Sequence, residues 1–119
     1  MTTREELEAA VVRATADRDK AHADRRKAEA DRRKAEADRR KADDEWDKAD
    51  ANWRKPGANW RKAEVDRRKA EANRRKAEED RRKADYDWNQ AEAARRKADD
   101  DLQKATNALA EFNRAGGKR

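Results

Sequence analysis

The sequence predicts an all-α protein, a long antiparallel two-helix hairpin that turns at Pro56 and Gly57. Three features predict it. A seven-residue unit, Ala-Asp-Arg-Arg-Lys-Ala-Glu, is clearest at residues 23–29 and 30–36 and keeps its frame from Thr2 to Asn113. A sustained period of seven is the mark of long helices and coiled coils. The unit is built mainly from Ala, Arg, Lys and Glu, which are among the best helix formers. A single Pro-Gly step interrupts the frame near its middle.

The composition tests that reading before any element is placed. Charged residues make up 52% of the 119 residues. The aliphatic and Phe complement is only Leu7, Val11, Val12, Val65, Leu102, Leu109 and Phe112. Such a chain has too little apolar bulk for an ordinary core and falls in the range of disordered sequences. Charge spacing decides for helix. Arg25 lies four residues before Glu29, Lys27 four before Asp31, and Glu29 four before Arg33. Each such pair adds about 0.2–0.5 kcal/mol to a helix. The pattern recurs in most units, so small contributions accumulate.

The first helix is expected over about residues 4–54. Thr2 and Thr3 each stand three residues before a Glu (Glu5, Glu6), two overlapping capping boxes. The turn is expected at about 55–59. Pro removes a backbone donor and costs about 3 kcal/mol inside a helix, Gly about 1 kcal/mol, and the residue before Pro is pushed out of the helical region. The second helix is expected over about 60–114. Gly116 and Gly117 then stop it and open a frayed tail over 115–119. The whole chain, 1–119, reads as one heptad-repeat unit with arms about 75 Å long at 1.5 Å per residue.

With the Arg25 column as heptad position a and the Ala28 column as d, Trp46, Trp53, Trp60 and Trp88 all fall at a. Position d runs from Leu7 through Ala to Phe112, broken once by Pro56. A second Ala column falls at f, nearly opposite d, so the apolar surface is two thin stripes. An antiparallel pairing of a with d sets Leu7 against Leu109 at the open end. Val11 then faces Ala105, and Leu102 faces Ala14. Trp46, Trp53 and Trp88 face Ala70, Ala63 and Ala28, and Trp60 faces Pro56. Large side chains then meet small ones, with Arg stems along the seam and their heads in water. One long kinked or continuous charged helix remains open, because Pro56 and Gly57 replace an Ala and an acidic residue without any insertion.

Little in the sequence suggests reaction chemistry. Asp43, Asp44 and Glu45, or Asp99, Asp100 and Asp101, would need a desolvating cleft to act as acids or bases. His22 is the only His and lacks partners at metal-ligand spacing. There is no Cys or Ser, and Thr15 and Thr106 have no His in reach. The three Gly residues form no phosphate loop. No enzyme activity, cofactor, metal or small-molecule substrate is expected. Arg-Arg-Lys recurs at 25–27, 32–34, 39–41, 67–69, 74–76, 81–83 and 95–97, and the net charge is +6. Consecutive residues fan by about 100° around a helix, with acids between them. Weak nucleic-acid or anionic-surface binding is the most this pattern implies. The Trp residues suit hairpin packing, a partner contact or base stacking, and Tyr86 sits at outward position f. Residues 1–10 lack the apolar run of a signal peptide, and no stretch is apolar enough to span a membrane. A cytoplasmic location is expected.

Alternating Arg/Lys and Glu/Asp blocks over about residues 5–113 resemble charged single-α-helix domains. The Ala columns are similar to those of the close-packed antiparallel helix pairs called Alacoils. The resemblance implies a spacer, lever or scaffold. From the residues and the resemblance together, the expected role is a non-enzymatic helical spacer, scaffold or assembly module. Self-association through the Ala stripes, or pairing with another helix, would supply its partner. The alternatives are the weak electrostatic binder and a recently expanded repeat with no selected molecular function.

Overall fold

The computed structural model describes residues 2–116. Two α-helices, α1 (Arg4–Arg54) and α2 (Trp60–Arg114), form a hairpin. Met1 and the expected tail residues Gly117, Lys118 and Arg119 lie outside the described residues.

Each helix end has a local cause. Thr3 starts α1: its Oγ1 accepts from the Glu6 N–H at 3.2 Å, and its carbonyl accepts from the Leu7 N–H at 3.1 Å. At the reversal, the Lys55 carbonyl accepts from the Ala58 N–H at 3.3 Å. Pro56 follows Lys55, and Gly57 has φ +76°. Pro then left-handed Gly at the two central positions is the signature of a type II turn. Asn59 caps α2 through its side-chain Oδ1, which accepts from the Lys62 N–H at 3.3 Å. Past Arg114, Gly116 has φ +82° and its N–H donates to the Asn113 carbonyl at 3.2 Å, a left-handed stop of the kind Gly permits.

By contacts the chain falls into two units. One contains residues 29–87 and the turn. The other combines residues up to Ala28 with those from Trp88 on. In the first, Asp38 and Asp80, then Ala42 and Ala77, then Glu45 and Asn73 line one shallow groove in reversed order. In the second, Asp17 and Asp101, Ala21 and Ala98, then Asp24 and Ala94 do the same. Each unit is therefore an antiparallel helix pair.

Burial follows the heptad. Eleven Ala residues at d, from Ala14 to Ala98, are buried. Between residues 15 and 54, positions a and e are half-buried, and b, c, f and g are exposed. Ala is small enough at d to let two helices approach closely. It also leaves little apolar area, so no side chain among the described residues falls below 2% exposure.

The register differs from the expected pairing of a with d. Ala42 lies level with Ala77 and Ala49 with Ala70, d beside d. Trp46 faces Arg74, and Trp53 faces Arg67, a beside a. Trp46 and Trp53 are thus covered by guanidinium groups rather than by Ala70 and Ala63. There each ring gains the attraction of a planar cation for an aromatic face, which an Ala partner would not supply. In the other unit, counting outward by heptads from Ala21 and Ala98 brings Leu7 level with Phe112 rather than Leu109. Trp60, expected to cover Pro56, is 61% exposed.

Candidate functional site

The glutamates at position e organise the seam. Glu29, Glu36, Glu71, Glu78 and Glu92 each clamp two successive arginines, at i+3 and i+4. An acid placed N-terminal to its base is the favourable orientation on a helix. The i+3 arginine (Arg32, Arg39, Arg74, Arg81, Arg95) stands at a and lays its stem along the seam, half-buried. The i+4 arginine is exposed, at 80% for Arg33. The hydrogen bond from Arg39 holds the Glu36 carboxyl below its ordinary value, and Arg81 and Arg95 do the same for Glu78 and Glu92. These carboxyls stay ionised.

In the unit of residues 29–87, aromatic and charged side chains meet near the turn. The Arg67 guanidinium lies 4.3 Å from the Trp53 ring centre, and that of Arg74 lies 4.4 Å from the Trp46 ring centre. Arg67 Nε also approaches Asp50 Oδ1 at 3.4 Å, while Asp50 Oδ2 forms an ion pair with Arg54 Nε at 3.0 Å. The Arg67–Asp50 contact is close enough for charge attraction but off-line for a hydrogen bond, and Asp50 Oδ1 is enclosed without one. The Trp53 indole N–H is likewise enclosed without a hydrogen-bond partner.

The other unit holds a separate ionic chain. His22 Nε2 and Asp99 Oδ1 are 2.9 Å apart, with the imidazole N–H donating. Asp99 Oδ2 accepts from Arg95 at 2.9 Å. Arg95 binds Glu92, whose second oxygen faces Arg25 at 3.4 Å. Arg25 thus reaches across to α2 rather than forward to Glu29. His22 chiefly holds the Asp99 carboxyl below its usual range. Leu7, Val11, Leu102, Leu109, Phe112 and Trp88 are half-buried in this unit. Val12 points outward, 68% exposed.

Arg and Lys divide the work. The lysines of the repeat all fall at position c. Among the described residues, Lys97 is the one lysine in an ion pair, with Asp101 at 4.0 Å. Arg serves the seam because its planar fork can bind a carboxylate and stack on an indole at once. Lys34, Lys41, Lys69, Lys76 and Lys83 are exposed beside the Ala-floored groove. Tyr86 and Val65, both at f, are exposed as well. Among the described residues, no group of three His, Cys, Asp or Glu side chains is placed to hold a metal ion, and no helix is long and apolar enough to cross a membrane.

Sequence reasoning missed the Asn59 cap, although Asn directly before a helix is a standard start signal. It also missed the His22–Asp99 and Asp50–Arg67 pairs, which depend on the register. No family model matches the chain, and no curated protein or solved structure is significantly similar to it.

Proposed function

We propose that this chain is a non-enzymatic structural protein, a cytoplasmic coiled-coil-like spacer, scaffold or assembly module. The observation that carries the reading is the direction of its electrostatics. Every resolved shift favours the charged form: Glu36, Glu78, Glu92 and Asp99 are lowered, and Arg39, Arg81 and Arg95 are raised. A general acid or base needs the opposite, a carboxyl pushed up or a cation pushed down. Here the charges are committed to ion pairs, most of them three or four residues apart on one helix, with His22–Asp99 reaching across.

A spacer depends on geometry rather than on particular residues. Deleting one heptad from each helix in step, residues 37–43 with 76–82, preserves the repeat on both sides of the join. Partners captured by proximity labelling from the ends of the chain should be unchanged. Loss of those partners, with helicity intact by circular dichroism, would refute the spacer reading.

The exposed lysine column supports a second reading, a weak binder of nucleic acid or anionic surfaces. Phosphate binding would then weaken steeply with salt, the slope counting the phosphates neutralised. Replacing Lys34, Lys41, Lys69 and Lys76 with Ala should flatten that slope. An unchanged slope would exclude the lysine column as the contact.

A further inference from the structure

The a-column pairing leads to a partner. Trp46 faces Arg74, and one heptad nearer the turn Trp53 faces Arg67. One heptad further inward on both helices, the two positions become the same residue, Trp60. Within a single chain Trp60 has no a-position partner, and it is 61% exposed. The frame also runs through the turn without insertion, since Pro56 occupies the d position between Ala49 and Ala63. Straightening residues 55–59 would therefore keep the Ala column in phase from α1 into α2. The reversal itself is closed by the 3.3 Å Ala58–Lys55 and Lys55–Asn52 bonds, and Asn59 caps α2 beside it.

We propose that two copies exchange their second helices through residues 55–59, forming a two-fold antiparallel dimer in which Trp60 of each chain packs on Trp60 of the other. Every pairing made within one chain is then remade between two, as helix exchange requires. The dimer adds one layer that the single chain cannot make, a Trp pair on the symmetry axis. The proposal gives the assembly half of the functional reading its partner and rests on that half alone. A chain that stays monomeric can still be a spacer, so the two readings fail separately.

The test uses the full chain, which has no Cys of its own. Sedimentation should show a dimer whose fraction rises with concentration. Pro56→Ala favours the straightened helix, so it should raise the association constant roughly tenfold or more. Dyes placed through Lys41→Cys and Lys76→Cys, which line one groove, should report close approach in the monomer. In dimers formed with excess unlabelled chain the signal should vanish, because the two sites would lie about 50 Å apart along one helix. A short bis-maleimide should link Trp60→Cys chains far faster than Tyr86→Cys chains. A monomer at every concentration overturns the proposal. So does a dimer that keeps its intrachain signal, or equal linking at the two positions.

Discussion

At the scale of single residues, the chain separates two cations by task. Arg67 holds a carboxylate and an indole together, which a lysine ammonium cannot do with one rigid group. A double-mutant cycle on Trp53 and Arg67, each replaced by Ala, should return a coupling of about 0.5–1 kcal/mol in thermal or urea unfolding. A coupling indistinguishable from zero would reduce the stacked geometry to mere proximity. Protonation provides a second measurement. Glu36, Glu78 and Glu92 are held below the ordinary glutamate value of 4.5. A carboxyl with a lowered folded value binds its proton more weakly in the folded state. Its stabilisation is complete above the unfolded value and is lost as pH falls through the folded one. The Tm should therefore be flat from pH 7 down to about 5 and should drop below 4.5. Stability that rises on acidification would contradict the glutamate clamps.

At the scale of the helices, the terminators were legible one by one. Thr3, the Pro56-Gly57 step and Gly116 each impose a local constraint that no distant residue can relieve. Asn59 belongs with them, and Asn59→Ala should cost about 1 kcal/mol of hairpin stability. Circular dichroism melts would show it, and an unchanged midpoint would deny Asn59 its capping role. The burial stripe was legible too, because Ala recurs at d in almost every heptad. Close packing at that stripe gives another expected outcome. Ala77 is 7% exposed, so Ala77→Leu should force the helices apart and cost about 1–3 kcal/mol. The same change at Ala72, on the exposed f face, should be nearly neutral. Equal effects at the two sites would remove the d column as the seam.

At the scale of the molecule, pairing decides what the columns mean. With a beside d, the four Trp residues would have rested on Ala and Pro. With a beside a, Trp46 and Trp53 lie under Arg74 and Arg67, and Trp60 is left facing its own symmetry position. In the unit that contains both helix ends, the same register sets Leu7 against Phe112. Leu7→Ala and Phe112→Ala should then be non-additive, coupling by about 0.5–3 kcal/mol. Strict additivity there, with coupling between Leu7 and Leu109 instead, would restore the a-with-d pairing.

The sequence by itself determined that the chain is helical, where each helix stops and which column turns inward. All of these follow from local energies: propensity, ion pairs three and four residues apart, caps, and the missing donor of Pro56. Only the tertiary structure decided the register. Sliding one helix past the other leaves every local term unchanged and alters only which side chains meet across the seam. The contest was between Trp on Ala and Trp under Arg, and a heptad pattern carries no information about that until both helices are present.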